Sequence, residues 1–270
     1  MDEHRRQVVE VAIPVHNEEQ VLEASVRRLH GHLESTLPAS WRIVVVDNAS
    51  TDATWTVAQQ LERTIPDVSA LRLPEKGRGR ALKAAWLASD ADVVSYMDVD
   101  LSTSLDHFLP LVSPLLAGES DVAIGSRLLP GSNTRRQLKR EIMSRTYNAL
   151  IHLGFPADFS DAQCGFKAIT KGAAQRLLPQ VEDTSWFFDT ELLLLAAHHG
   201  YRIHEVPVHW IEDLDSRVNV RKTVAEDLRG LWRMRRNLRT MPREVGPGKV
   251  QGGPEVHSRV SNPRPDARDG

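Results

Sequence analysis

The residues with the strongest claim to chemistry in this chain are Asp98-Val99-Asp100. In an extended segment successive side chains point to opposite faces, so residues two apart share one. Carboxylates placed side by side repel and raise each other's pKa unless a cation sits between them. An all-oxygen pair suits Mg²⁺ or Mn²⁺, ions that complete their shells with phosphate oxygens and water. The same spacing recurs at Asp90/Asp92 and Asp213/Asp215, so spacing alone decides nothing. Only Asp98/Asp100 ends a predicted buried strand; the other pairs read as surface carboxylates.

Other polar segments stand beside it. Asp47 opens the turn Asp47-Asn48-Ala49-Ser50-Thr51-Asp52, either as a helix cap or as a group pointing into a crevice. Pro14 to Glu18 closes an apolar run, with His16 either structural or a ligand or base. Lys76-Gly77-Arg78-Gly79-Arg80 joins glycine to positive charge, which suits a diphosphate or simply a solvated basic turn. It is not a phosphate-binding Walker loop, and Leu82 stands where a dinucleotide fingerprint needs its third glycine. Arg127 begins a second basic region continued by Arg135, Arg136, Lys139, Arg140 and Arg145; guanidinium forks match phosphate oxygens. Asp161 to Lys167 is a polar, glycine-containing segment. Asp189 and Glu191 sit at a predicted helix start, where carboxylates also complement the helix dipole.

The elements that must position these groups alternate. Val8 to Val15 is a β-branched strand, and Asn17 with Gln20 resembles a capped helix start. Leu22, Val26, Leu29 and Leu33 then line one face of a helix. Ile43 to Val46, Val68 to Leu73 and Asp92 to Met97 are further strands, with Gly77 to Gly79 a loop and Ala81 to Leu87 a helix. This order predicts an α/β fold with a mostly parallel sheet, whose ligands lie at the carboxyl ends of strands. Those ends follow Val15, Val46 and Met97. Helices are predicted over 105–116, 137–153 and 186–198, with a short strand at 122–125 and an extended segment at 202–210. Val224, Leu228, Leu231, Met234 and Leu238 form the stripe of a last helix. Five of fifteen prolines and five of sixteen glycines fall in the final 29 residues, predicting a disordered tail over 242–270.

The 270 residues are 41% hydrophobic and 26% charged with a net charge of -2, which excludes wholesale disorder and disfavours a nucleic-acid partner. Cys164 is the single cysteine, so no intrachain disulfide forms. No apolar run approaches the ~20 residues of a membrane span, and no signal peptide is evident, so a cytoplasmic protein is expected.

In motif order, from about Val9 to about Arg239, the chain resembles the family 2 glycosyltransferases of GT-A fold, and among them the polyprenyl-phosphate (dolichyl-phosphate) mannosyl- and glucosyltransferases. Ile13-Pro14-Val15-His16-Asn17-Glu18 and Val46-Asp47-Asn48-Ala49-Ser50-Thr51-Asp52 resemble its nucleotide-binding strand ends. Lys76-Gly77-Arg78-Gly79 resembles its lysine–glycine loop, and Asp98-Val99-Asp100-Leu101-Ser102 its metal motif. Gly125-Ser126-Arg127, Leu138-Lys139-Arg140 and Ser144-Arg145 resemble phosphate-holding segments; Asp161 to Lys167 and Phe188 to Glu191 are especially like the glucosyl-type branch. Asn48 and Ala49 replace the second Asp and the Gly of the usual Asp-Asp-Gly-Ser-Thr-Asp. Ser102 stands where mannosyl-type members often carry a metal-ligating glutamine.

The resemblance implies a Rossmann-like single domain over 1–241, with a nucleotide-sugar half at about 8–125 and an acceptor half at about 126–241. It implies a donor such as UDP-glucose or GDP-mannose against Pro14, Val15, Asn17, Glu18, Asp47, Lys76, Gly77, Asp98 and Val99. It places Mg²⁺ or Mn²⁺ on Asp98, Asp100 and Ser102, and a polyprenyl phosphate on Arg127, Arg140, Arg145 and Gln163. Asp98, Asp100, Arg127, Arg140, Asp189 and Glu191 are then the catalytic set of an inverting, metal-dependent transferase. A hydroxyl acceptor requires a general base, for which Asp189 and Glu191 are the candidates; a phosphate, with a second pKa of about 6, does not. The alternatives are transfer to a saccharide or small-molecule hydroxyl, or non-catalytic nucleotide-sugar binding. Eight basic residues between Arg217 and Met241, against Glu226 and Asp227, also suit a helix lying peripherally on an anionic membrane face, or one packed on the domain with a solvated basic side.

Overall fold

The computed structural model describes residues 6–135, 138–211 and 220–243, with side chains for all of these except 135, 138–140 and 220–222. Along the chain run β1 (Val8–Val15), α1 (Leu22–Thr36), β2 (Ser40–Asn48), α2 (Thr54–Thr64), β3 (Val68–Leu73), α3 (Arg78–Ala88) and β4 (Val93–Met97). There follow α4 (Phe108–Leu116), β5 (Val122–Ser126), β6 (Asn133–Arg135), α5 (Leu138–Gly154), β7 (Phe166–Thr170) and α6 (Lys171–Leu177). The described chain closes with α7 (Phe188–His198), β8 (Ile203–Pro207), β9 (His209–Ile211) and α8 (Val220–Thr240).

One seven-stranded sheet runs through the molecule in the order β3-β2-β1-β4-β7-β5-β8. The β-branched runs of β1 and β2 pair in parallel, Ile13 beside Val45 and Val15 beside Asp47, because both faces of these strands are covered by helices. Apolar side chains of α1 pack on one face; Ala81, Leu82 and Trp86 of α3 pack on the other. Only β7 runs antiparallel, inserted between β4 and β5. The sheet is mostly parallel and doubly covered, as the alternation predicts.

Several local expectations give way. Asn17 does not cap α1, which begins five residues later at Leu22; Asn17 instead adopts a left-handed conformation, φ 59°, and turns the chain. Arg78 and Gly79 are not loop but the first turn of α3. The predicted polar segment before residue 168 runs into β7, whose Lys167 is buried and so hides the apolar signature of a strand. In α8 the packed face is Asp227, Gly230, Leu231, Met234 and Leu238, while Val224 and Leu228 of the predicted stripe are exposed. Gly230 is needed there, since a β-carbon would collide with the ring of Phe187. Asp90 is a surface carboxylate paired with Arg42, and Asp92 accepts from the Val8 amide. Asp213, Asp215, Arg217 and the predicted tail from 244 onward lie outside the described residues.

Candidate active site

The ends of β1, β2 and β4 form one row at the carboxyl edge, and each turns through a left-handed residue: Asn17, Ala49 (φ 58°) and Leu101 (φ 50°). For alanine and leucine this conformation is strained, and such strain collects where a backbone must present groups to a ligand. The first two turns are stitched together. Asn17 N donates to Ser50 Oγ at 3.0 Å, Thr51 N to Asn17 Oδ1 at 2.8 Å, and Glu18 N to Thr54 Oγ1 at 2.8 Å. His16 is structural here, its Nδ1 lying 2.9 Å from the Asn48 carbonyl. Asn48, the departure from the family's second Asp, accepts from the Gly77 amide at 2.8 Å and so anchors the lysine–glycine loop.

Asp47 is fully buried. Its Oδ1 accepts from Ser50 N at 3.1 Å. Its Oδ2 lies 3.2 Å from Arg72 Nε as an ion pair but has no hydrogen-bond partner. Buried carboxylate oxygens are almost always hydrogen-bonded, so this one, held only by the half-exposed Arg72, keeps capacity for a further donor. Helix capping falls to Asp52, which accepts from Thr54 N at 3.0 Å.

The metal motif lies one strand over. Asp98 is 45% exposed and Asp100 is exposed, with Asp100 Oδ1 accepting from Ser102 N at 3.0 Å, so the Ser102 backbone orients the carboxylate. Gly165 lies so close to Asp98 that a β-carbon there would strike its Oδ2. Among the described residues no three His, Cys, Asp or Glu side chains are grouped to hold a metal. Asp98 and Asp100 could together hold a hard cation that drew its remaining oxygens from a diphosphate and water.

A buried cation that residue spacing did not single out organises the centre. Arg78 donates to Asp98 Oδ1 at 2.7 Å and to Asp189 Oδ2 at 2.6 Å, with its guanidinium 4.9 Å from the Tyr96 ring and 5.1 Å from that of Trp186. Burial opposes its charge, but the surrounding carboxylates hold its pKa well above the ordinary value. Asp189 is 2% exposed and its oxygens are fully engaged: Oδ1 takes the Tyr96 hydroxyl at 2.5 Å and Lys167 Nζ at 3.2 Å. Burial works against its ionisation, yet Lys167 and Arg78 outweigh it and keep the carboxyl below its usual range. Glu191, 1% exposed, is held by Asp183 N at 2.8 Å and Arg233 Nη2 at 2.6 Å, with its pKa raised by burial. Both oxygens of Asp189 are taken, while the two bonds to Glu191 both end on its Oε2; Asp189 faces Arg78 and Lys167, and Glu191 faces Arg233. The sequence signals for this centre were Asp98 and Asp189, with Arg78 in the basic loop and Lys167 in the glycine-containing segment.

On the other side of Asp98, Arg127 is gripped along one edge by fully buried Asp161, Nε at 2.7 Å and Nη2 at 2.9 Å, and lies 5.4 Å from the Trp210 ring. The Gln163 amide nitrogen donates to Asp227 of α8 at 2.9 Å. Burial pushes Asp227 up to about 7, and its Oδ1 is buried without a hydrogen-bond partner. Ser144 also buries a hydroxyl with no partner. Arg145 is exposed and paired with Glu141 at 2.8 Å. Lys76 is exposed, Pro14 half-buried, Val15 and Val99 buried, and the side chain of Arg140 lies outside those described.

Comparison with known proteins places the fold first. The chain superposes on glucosyl-3-phosphoglycerate synthase from Mycobacterium tuberculosis, solved with Mn²⁺, UDP-glucose and phosphoglyceric acid, with a TM-score of 0.65 over 86% of this chain and 80% of that one. At 19% identity this likeness speaks for a GT-A architecture alone. Residues 10–178 match the model of glycosyl transferase family 2, and the chain belongs to that family. It is 36% identical to the glycosyltransferase AglD of Haloferax volcanii over 84% of its own length and 37% of AglD. It is 28% identical to the dolichyl-phosphate beta-glucosyltransferase ALG5C of Trichomonas vaginalis over 77% of itself and 65% of that relative. The chain thus spans between about a third and two thirds of these relatives.

Proposed function

We propose that this protein moves a sugar from a nucleoside-diphosphate sugar to a polyprenyl phosphate, with inversion at the anomeric carbon. The observation that carries this reading is the state of Asp189 and Glu191. Both are buried and ion-paired, so neither of these two candidate bases stands idle to deprotonate a hydroxyl. A phosphate monoester is already a nucleophile at neutral pH and needs cations and donors instead. Arg127, with one guanidinium edge fixed by Asp161, and the partnerless Ser144 hydroxyl supply groups of that kind.

On the donor side the open oxygen of Asp47 suits an N–H or hydroxyl of the base or ribose, beside Pro14, Asn17 and Glu18. Asp98 and Asp100 would hold Mg²⁺ or Mn²⁺, which would supply positive charge to the departing diphosphate. Lys76 and the Gly77 loop flank that charge. Arg78 keeps Asp98 and Asp189 from repelling each other and fixes Asp98 in place. An acceptor phosphate oxygen then bonds to the anomeric carbon as the bond to the nucleoside diphosphate breaks. The named activity of the dolichyl-phosphate glucosyltransferase relative and the glucosyl-type segments favour UDP-glucose over GDP-mannose as donor.

No helix among the described residues is long and apolar enough to cross a membrane. A lipid acceptor also calls for a surface that can rest on a membrane. The exposed side of α8 suits this, with Trp232 67% exposed, Arg236 5.2 Å from its ring, and Arg229, Arg235 and Arg239 exposed around it.

The test is incubation with radiolabelled UDP-glucose or GDP-mannose, polyprenyl phosphate and Mg²⁺. Label is expected in the organic phase, predominantly from UDP-glucose, and is lost with EDTA. Undiminished transfer in excess EDTA would overturn the metal assignment, and label that stays aqueous would overturn the acceptor.

A further inference from the structure

The helix α5 is apolar on the wrong side. Its inward face packs Tyr147 and Ile151 into the core beside buried Ser144 and Asn148. A surface helix carries charge opposite such a face. Here the turns opposite hold Ile142 at 58% exposure, Leu150 at 43% and Leu153 at 84%, with Met143 at 39% beside them. At 100° per residue these four fall on one stripe together with exposed Thr146 and Ala149, uncharged from 142 to 153, with Lys139 one turn before it. Glu141, Arg145 and His152 gather on a single flank. Contiguous exposed apolar surface of this kind marks a place that something covers.

We propose that this outward face of α5 seats the protein on a lipid leaflet, a contact separate from that of α8. The inference rests on the polyprenyl-phosphate reading in one respect: Ser144, which presents the open hydroxyl for the acceptor phosphate, lies on the inward side of the same helix, so the prenyl chain leaves the site beside α5. Charge complementarity supports a lipid occupant. The exposed arginines of α8 suit anionic headgroups, while the α5 stripe, uncharged from 142 to 153, suits the acyl boundary. The chain's own C-terminal residues make a poor cover, since 244–270 contain four valines and one alanine among polar residues, prolines and glycines.

The experiment compares the full chain with Ile142→Glu/Leu153→Glu, and with Leu153→Gln as a milder change at the most exposed position. Each is sedimented with phosphatidylcholine vesicles containing phosphatidylglycerol, sized by light scattering, and assayed with a short, water-soluble prenyl phosphate. The face predicts at least a tenfold loss of vesicle affinity for the double variant and a smaller loss for Leu153→Gln. Melting temperature and turnover of the short acceptor stay unchanged. Equal vesicle binding by all three proteins would overturn it, as would a wild-type dimer that the variants turn into a monomer, which would place a second copy on the stripe. Loss of vesicle binding in the variants together with no transfer to any prenyl phosphate would sustain the lipid face while sinking the acceptor reading.

Discussion

At the ends of β1, β2 and β4 the carboxylates keep part of their bonding capacity, whereas beyond β5 Asp161, Asp189 and Glu191 are buried against cations, with Asp227 the exception. Asp98 and Asp100 face solvent and Asp47 keeps one oxygen without a hydrogen bond. Asp161 is closed against Arg127, Glu191 against Arg233, and Asp189 against Arg78 and Lys167. On the proposed function the difference follows from what each half would hold. A donor diphosphate brings its own charge and needs carboxylates free to share a cation with it. An acceptor phosphate needs cations at fixed positions, and buried carboxylates are what fix them.

The sharpest way to break this comparison is to remove one carboxylate from each half. Asp161→Ala leaves Arg127 buried and uncompensated and is expected to cost about 3–5 kcal/mol of stability in urea unfolding. Asp100→Ala, at an exposed position, is expected to cost less than about 1 kcal/mol while abolishing metal-dependent transfer. If both variants lose stability equally, the halves do not differ as described.

Acid next divides the acceptor half itself. For Asp189 and Asp161, Lys167, Arg78 and Arg127 overcome the burial penalty and lower the folded-state pKa below the unfolded value of ~3.9. Their stabilisation is therefore complete above that unfolded value and is lost as pH falls through the folded one. Asp227 behaves oppositely: burial raises it to about 7, so it weakens the fold progressively as pH rises from ~4 toward 7. Asp227→Asn, whose amide oxygen can still accept from Gln163, is expected to gain on the order of 2 kcal/mol at pH 8 and little at pH 4. A gain that is independent of pH would mean Asp227 is not a buried carboxyl of this kind.

The smallest effect belongs to the donor half. Ala49 takes a left-handed conformation at φ 58°, where the family's usual residue is glycine. Ala49→Gly relieves a strain of ~1–2 kcal/mol and returns about half as added freedom of the unfolded chain. A net gain of up to about 1 kcal/mol is expected, read as a rise of ~2–4 °C in melting temperature.

The same division explains what was legible in the sequence. The donor half is written locally: β-branched runs end in polar turns, so β1 and β3 follow their predicted bounds, and Asp47, Asp98 and Asp100 fall at strand ends. The acceptor half is written at long range. Arg78 meets Asp189 across 111 positions and Gln163 meets Asp227 across 64, distances at which spacing carries no signal. Lys167 broke the apolar pattern of β7 because its charge is buried in the centre rather than solvated. The stripe of α8 was drawn through Val224 and Leu228, but Asp227 and Gly230 set its packed face, one through a hydrogen bond to Gln163 and the other through close approach to Phe187.

The central claim is that the acceptor arrives as a nucleophile and meets cations rather than a base. The direct measurement compares polyprenyl phosphate with the corresponding free polyprenol, under the same donor and Mg²⁺. The account predicts transfer to the phosphate and none detectable to the alcohol, with Asp189→Asn acting mainly through stability. Transfer to the alcohol with comparable kcat/KM, abolished by Asp189→Asn in a protein that remains folded, would contradict it.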